Sequence, residues 1–455
     1  MSCKVRFAPS PTGFMHIGNA RIAIINYLFS KKNNGKFLFR IDDTDAVRSR
    51  KEYEDSIKED LKWLGISYNE FFRQSERIFR YKEVMNKLIQ KGVLYKCFET
   101  QEELDFKRKN AISKGNPPVY DRTSLKLSNA EKKKLEDSGA PFYWRFKLPS
   151  KVVSWNDIVL GEIRYDLESV SDPVVVKTDG TYLYTFSSVV DDFDSEISHI
   201  IRGQDHVTNT AVQIAIFDEI SDYKYKVDFA HLSLLVNKDG SQFSKRLGSL
   251  NLGNIRDMGI DPMAINNLLA TLGSSLDTIA FQTLQELEEY FDISKFSSNS
   301  PKFDLVDILK LNKKILHNKE YSDFEKILGN GFIKSQKAFY IIRANIESYN
   351  DFSKWNEILS NNFKSNSEFS NYEKNIFKKA AYLLVDVKEI TSESVSKFLV
   401  DLTKIINVSG KSLYMPIRKA LTGQEHGPNI VELFCLFSKD DLLRRFNTIL
   451  ENPTL

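Results

Sequence analysis

Arg6-Phe7-Ala8-Pro9-Ser10-Pro11-Thr12-Gly13-Phe14-Met15-His16-Ile17-Gly18-Asn19 is the stretch whose reading decides the fold. Val5 to Phe7 reads as a short apolar strand. Two prolines stiffen the loop that follows and Gly13 releases it. His16-Ile17-Gly18-Asn19 then opens an apolar, helix-like run from Ala20 to Phe29, and a second strand, Phe37 to Ile41, ends in Asp42-Asp43-Thr44-Asp45. Such a strand–loop–helix–strand unit gathers its polar residues where the strands end, the edge at which open parallel sheets bind ligands. A helix start adds partial positive charge and free N–H groups, which suit a phosphate.

Around this unit the chain has the bulk character of a soluble protein. Its 455 residues allow two to four domains, with 42% hydrophobic and 27% charged residues. Sixty-four basic and 61 acidic side chains leave a formal charge of +3, which neither demands nor excludes a nucleic-acid partner. Cys3, Cys97 and Cys435 lie far apart without a CxxC pair, which argues against a disulfide framework and for a reducing cytoplasm. Met1 to Arg6 carries no signal-peptide hydrophobic region, and no apolar run approaches the ~18 residues of a membrane span.

Strand and helix patterns alternate to about residue 95, with Glu52 to Leu64 at helical spacing and Gly65 as its stop. Residues 96–175 change character. A charged helical stretch (Glu99 to Lys114) is broken by Asn116-Pro117-Pro118, and short strands follow at Tyr143 to Leu148 and Lys151 to Trp155. This reads as an insertion between two halves of a sheet domain. Periodicity returns at Thr181 to Val190 and at Ile197 to Arg202, and Phe229 to Val236 reads as a buried strand before a turn at Asn237-Lys238-Asp239-Gly240. From about residue 300 the pattern is helical. The expected organisation is an α/β, Rossmann-like domain over 1–305 and an all-α domain over 306–455.

Four segments carry chemistry, each with a plainer reading beside it. His16 and Gly18 at a helix start suit a nucleotide phosphate; the alternative is a helix cap. Arg6 and Asp42 at adjacent strand ends could hold a zwitterionic amino acid, guanidinium to carboxylate and carboxylate to ammonium, or could form a surface ion pair. Arg202, in Ile200-Ile201-Arg202-Gly203-Gln204-Asp205-His206, could read a second carboxylate or a phosphate, or face water at a strand end. Phe243-Ser244-Lys245-Arg246 is a basic loop whose lysine could neutralise triphosphate charge in a transition state. One lysine among 64 basic residues means little alone; it gains weight by following the first motif.

In combination these residues resemble a class I aminoacyl-tRNA synthetase, and within that class the bacterial-type glutamyl-tRNA synthetase family. Ala8-Pro9-Ser10-Pro11-Thr12-Gly13 with His16-Ile17-Gly18-Asn19 looks like that family's first ATP motif, and Phe243-Ser244-Lys245-Arg246 like its second. Phe39 to Asp45, Asp191-Asp192, Arg202 to His206 and Arg418-Lys419-Ala420-Leu421-Thr422-Gly423 fall in the expected order. The resemblance implies a class I catalytic domain with an inserted acceptor-binding subdomain and a stem-contact region at about 240–305, then an anticodon-binding domain. It implies ATP-dependent activation of L-glutamate and transfer to the terminal ribose of tRNA. Arg6, Ala8, Ser10, Asp42, Tyr184, Ser188 and Arg202 would line the amino-acid pocket. Pro9, His16, Gly18, Asn19, Asp205, Leu235, Phe243, Ser244, Lys245 and Arg246 would serve ATP and its Mg²⁺, with His16 and Lys245 catalytic.

The chain also departs from the family pattern. Asp42 stands where many members have glutamate, Ser188 where asparagine is frequent, Asn19 at the second histidine of the wider class motif, and Gln242-Phe243 before Ser-Lys. Some members carry a zinc knuckle in the insertion. Here Cys97 is alone, with Phe98-Glu99 after it and Thr123 at the last ligand position, so no structural zinc is expected. In the helical tail, Lys378, Lys379, Tyr382, Lys411, Tyr414 and Arg418 mix cations with aromatics, as an anticodon-binding surface would. The expected protein is a cytoplasmic monomer. Alternative readings are a misacylating enzyme acting mainly on glutamine tRNA, a glutaminyl enzyme, and a non-catalytic synthetase-like RNA-binding protein.

Overall fold

The computed structural model describes residues 2–241 and 251–451. Two compact units emerge, one of Met1–Arg256 with Ile265–Asp307, the other of Asp257–Ala264 with Ile308–Leu455.

The first unit is built on parallel strands. β1 (Lys4–Phe7), β2 (Lys36–Ile41) and β3 (Glu70–Arg73) form one parallel sheet in that order. β4 (Leu94–Cys97), β5 (Tyr143–Phe146) and β8 (Val174–Val176) make an antiparallel sheet inside the inserted stretch, while β6 (Val152–Asp157) and β7 (Gly161–Asp166) are a hairpin. β9 (His199–Gly203) and β10 (Asp228–Leu232) pair in parallel, and β6 adds to the far side of β10. β1 lies beside β9: the Ser198 N–H donates to Lys4 O at 2.9 Å. The strand order across the body is therefore 3-2-1-9-10-6-7. The chain leaves β1 in one direction through the helix Ile17–Lys32 and leaves β9 in the other through the helix Val207–Ser221. The reversal between β1 and β9 is a topological switch point, where the carboxyl ends of the strands leave a crevice.

Sequence explains these elements. Phe37, Leu38, Phe39 and Ile41 are all buried, a near-continuous apolar run broken by buried Arg40, as in a strand covered on both faces. Helix Ile17–Lys32 buries residues all round, including Ala20, Ile24, Ile25 and Leu28, so it is a central helix rather than an amphipathic surface one. It stops at Asn33, with Lys31 and Lys32 in its last turn. Helix Lys51–Trp63 ends before Gly65, whose φ of +76° favours glycine. The hairpin β6–β7 differs from the expected insertion, since it extends the main sheet. Its strand meets β10 at one residue pair only, Phe229 opposite Asp157, which no periodicity announces.

The second unit holds helices and no strand among its described residues. Its core packs Phe324, Phe339, Phe352, Ile376, Phe377 and Phe446, each worth about 1.5–3 kcal/mol of burial. The segment Asp257–Ala264 returns to this unit, which a single cut at 305/306 does not contain. Buried Asp261 anchors it: Lys319 Nζ lies 2.6 Å from its carboxylate, and Tyr349 donates its hydroxyl to it. On helix Asn371–Leu384, Tyr372, Lys378, Lys379 and Tyr382 are exposed, whereas Arg418 is turned inward to the carbonyl of Pro428.

Candidate active site

A cavity of about 460 Å³ opens at the switch point. Arg6, Ala8, Pro9 and Ser10 reach it from the end of β1, and His16, Gly18 and Asn19 from the helix start. Tyr184, Arg202, Asp205 and Leu235 close the other side. Asp42 and Ser188 do not line it. Phe243, Ser244, Lys245 and Arg246 lie outside the described residues. Their flanks do not: Leu235 lines the cavity, and Asn251 is bridged to His16, with Leu252 N–H donating to Met15 O at 3.0 Å.

His16 is the N-cap of its helix, in an extended conformation, and its Nδ1 accepts the N–H of Asn19 at 3.3 Å. The cap and phosphate readings are thus compatible. Burial pushes the His16 pKa down, so the ring is neutral at pH 7 and carries its proton on Nε2, the nitrogen not used by the cap. Gly18 has a local reason to be glycine. A Cβ there would sit 3.0 Å from His16 Cε1 and 3.1 Å from Nδ1, so it is the imidazole, before any nucleotide, that requires the space. At Gly203 a Cβ would meet Asp205 Oδ1 at 2.5 Å.

Arg6 and Asp42, expected either to hold an amino acid together or to form an ion pair, are each bound to another side chain. Arg40 and Asp42 alternate onto the same face of β2, and Arg40 grips Asp42 with Nε at 2.6 Å and Nη2 at 3.1 Å. Burial raises the Asp42 pKa to about 6 despite the attraction of Arg40. Arg40 also donates to Asp192 at 2.7 Å, and Asp192 accepts Arg6 Nε at 3.2 Å. Asp191, one residue earlier, accepts from Gln74, Arg77 and Tyr81. Asp42 therefore belongs to an ion network behind the pocket that positions Arg6. Ser188 also acts from behind: its hydroxyl donates to Tyr184 O at 2.6 Å and accepts from Gln213 at 2.7 Å.

Two arginines reach the cavity with donors to spare. Arg6 spends only Nε within the protein, and its terminal nitrogens have no partner among the described residues. Arg202 is 5% exposed and bonds only neutral groups, Tyr184 Oη at 3.1 Å, Thr210 Oγ1 at 2.5 Å and His231 Nε2 at 3.4 Å. It has no ion pair among the described residues, and burial lowers its pKa. A buried cation without a counter-ion is costly unless a ligand supplies the anion.

Sequence reasoning missed Arg21, His206 and Ser233, which also line the cavity. Arg21 lies three residues after Gly18, so helical spacing could have placed it on the same face. It is buried, its Nη1 donates to Ser233 O at 2.5 Å and its Nη2 to Leu272 O at 2.9 Å, and burial lowers its pKa to about 10. In the insertion, Cys97 Sγ lies 3.4 Å from Tyr120 Oη. Glu99 accepts from Tyr120 at 2.8 Å and from Ser124 at 2.6 Å, and Thr123 accepts from Lys107 at 2.7 Å. Among the described residues no group of three or more His, Cys, Asp or Glu side chains is placed to hold a metal, and no helix is long and apolar enough to cross a membrane.

The family profile for tRNA synthetases class I (E and Q), catalytic domain, matches residues 2–310, the part of the chain that holds this cavity. A second profile, an anticodon binding domain, matches residues 343–450. The chain belongs to the class I tRNA synthetases of the E and Q group, a family that uses ATP. Glutamate–tRNA ligase 1 of Maricaulis maris (strain MCS10) is 42% identical over 97% of this chain and 98% of its own length. Glutamate–tRNA ligase 1 of Rickettsia akari (strain Hartford) is 40% identical over 97% and 98%. A crystal structure of a glutamate tRNA ligase from Elizabethkingia meningosepticum CCUG26117, in complex with its amino acid, matches with TM-score 0.85 and 26% identity over 99% of each chain. Within its family the chain stands with the glutamate–tRNA ligases.

Proposed function

We propose that the protein is an ATP-dependent glutamate–tRNA ligase, and that Arg202 and Arg6 hold the carboxylates of L-glutamate in the switch-point cavity. The observation that carries this reading is Arg202 itself, buried at the cavity wall with only neutral hydrogen-bond partners among the described residues. A guanidinium there favours a full carboxylate over the neutral amide of glutamine.

The chemistry is that implied by membership of an ATP-using tRNA synthetase family, and the residues facing the cavity suit it. An α-carboxylate oxygen of glutamate attacks the α-phosphorus of ATP; the bond from that phosphorus to the bridging oxygen breaks, and pyrophosphate leaves. A hydroxyl of the terminal ribose of tRNA then attacks the carbonyl of the mixed anhydride, losing its proton as AMP departs. No protein nucleophile is required, so the protein acts by positioning and by charge. His16 donates from Nε2 to the phosphates, Gly18 and Asn19 present the helix start, and Asp205 and Leu235 border the nucleotide side. For Lys245, with Phe243, Ser244 and Arg246, we keep the triphosphate role that the resemblance implies; the support is that Asn251, just after that stretch, is bridged to His16 at the cavity. Mg²⁺ accompanies the phosphates of ATP as part of the substrate complex. Tyr372, Lys378, Lys379 and Tyr382 suit the stacking and phosphate contacts of an anticodon loop. We read the protein as a cytoplasmic monomer without structural zinc.

Aminoacylation of purified glutamate and glutamine tRNAs, each with labelled glutamate and labelled glutamine, tests this. Glutamate attached to glutamate tRNA is the expected result. Attachment of glutamine alone would overturn the assignment.

A further inference from the structure

Behind Arg202 runs a one-way chain of hydrogen bonds that ends on a strand of the inserted hairpin. Arg202 Nη2 donates to Thr210 Oγ1, Thr210 Oγ1 lies 2.8 Å from His231 Nε2, and His231 Nδ1 lies 2.5 Å from Asp157 Oδ2. Arg202 Nε also points to His231 Nε2 at 3.4 Å. Arginine can only donate and a carboxylate can only accept. Thr210 Oγ1 also has His206 O within reach at 3.2 Å, but its contact with His231 Nε2 is the shorter, and with Nδ1–H on the carboxylate a neutral ring can only accept at Nε2; the protons then run guanidinium to hydroxyl, hydroxyl to Nε2, Nδ1–H to carboxylate. His231 is neutral, with its proton on Nδ1. Both His231 and Asp157 are fully buried. Burial lowers the His231 pKa; for Asp157 burial is the largest influence and raises it, but the hydrogen bonds of His231 and Leu160 together with the attraction of His231 hold it below its ordinary value.

We propose that Asp157 and His231 are positioning residues for amino-acid selection, which lock Arg202 in the orientation that reads the substrate carboxylate. The proposal rests on the glutamate reading above. Arginine has five N–H donors. His231, Tyr184 and Thr210 each take one, which leaves one on each terminal nitrogen for a ligand. The hairpin β6–β7 reaches the main sheet at Asp157, so the insertion supplies the last member of the chain.

Asp157→Asn tests the direction of the protons. Asp157 Oδ1 accepts three backbone N–H groups, those of Val159 and Leu160 at 3.0 Å and of His231 at 3.1 Å. The asparagine carbonyl must take that place, so its NH₂ faces His231 Nδ1. The ring proton is then driven to Nε2, where it opposes the Nε–H of Arg202 and turns the Thr210 hydroxyl away to His206 O, 3.2 Å off. The expected result in aminoacylation is a KM for glutamate raised about tenfold, the loss of roughly one charge-assisted hydrogen bond, with a KM for ATP changed less than twofold. The preference for glutamate over glutamine falls with it. Imidazole ¹⁵N shifts of His231 should report the Nδ1–H tautomer in the unaltered protein and Nε2–H in the variant. Thr210→Val, nearly isosteric, cuts the chain at its middle and is expected to give the same split of KM values if Asp157→Asn does not fold. An unchanged glutamate KM, equal rises in both KM values, or Nδ1–H retained in the variant would overturn the proposal. If the unaltered protein attaches no glutamate at all, it is the underlying glutamate reading that falls.

Discussion

Arg202→Gln is expected to separate binding from stability in opposite directions. In the absence of ligand the guanidinium is a buried cation whose hydrogen bonds all go to neutral groups. A buried cation without a counter-ion is costly, and the amide removes that charge while retaining two donors for Tyr184 and Thr210. The ligand-free variant should therefore unfold with a free energy unchanged or raised by up to about 2 kcal/mol, a rise in Tm of a few degrees for a unit of this size. Glutamate binding should suffer. A carboxylate left in a buried pocket without its cation loses about 3–5 kcal/mol, or roughly 10²- to 4 × 10³-fold in affinity. Thermal unfolding with and without glutamate reads both effects. In the unaltered protein, glutamate at a hundredfold its Kd adds about 2.7 kcal/mol, and in the variant at that concentration almost nothing. An Arg202→Gln protein that is less stable by more than about 2 kcal/mol, yet keeps its KM for glutamate, would refute the reasoning, because Arg202 would then be a structural residue.

Other perturbations have equally definite outcomes. Gly18→Ala places a methyl 3.0 Å from His16 Cε1, so the ring must shift; the KM for ATP should rise about tenfold or more with the glutamate KM nearly unchanged, as steady-state aminoacylation would show. Lys245→Ala should slow pyrophosphate exchange, measured with tRNA present, by roughly 10²- to 10³-fold while tRNA affinity by filter binding stays within about twofold; equal losses would count against a transition-state role. Asp60 is buried, its nearest cation is Arg256 Nη1 at 3.6 Å, and burial raises its pKa from 3.8 to about 7. The folded state thus holds this proton more tightly than the unfolded chain, and the penalty of ionising it grows as pH rises from about 4 through 7. Asp60→Asn should accordingly be more stable than the unaltered protein at pH 8, by at most about 4 kcal/mol, with the gain gone near pH 4; a gain independent of pH in denaturant titrations would contradict that assignment.

The α/β body and the helical tail were legible because their signals are local. Val5 to Phe7, the proline loop and the Ala20 to Phe29 run announce β1, its loop and the central helix within one stretch of chain. Most of the cavity wall was legible too, since Arg6, His16, Gly18, Tyr184 and Arg202 sit at the ends of elements whose periodicity is clear. What escaped depends on long-range pairing. Arg40 could have been seen to compete for Asp42 at a spacing of two along a strand, but the partnership of Arg6 with Asp192 joins residues from distant elements. The hairpin's attachment to β10 rests on one residue pair, and with it the link from Asp157 to His231. Buried polar contacts of this kind leave no period in the sequence, only their members.

We propose that a single cavity takes an acidic amino acid on Arg202 and a nucleotide at His16. The most direct measurement is a crystal structure with a non-hydrolysable glutamyl-adenylate analogue. The side-chain carboxylate should lie within hydrogen-bond distance of the Arg202 guanidinium, with the adenylate phosphate beside His16 Nε2. An analogue seated away from the β1–β9 switch point, or turned so that Arg202 meets no carboxylate, would contradict it.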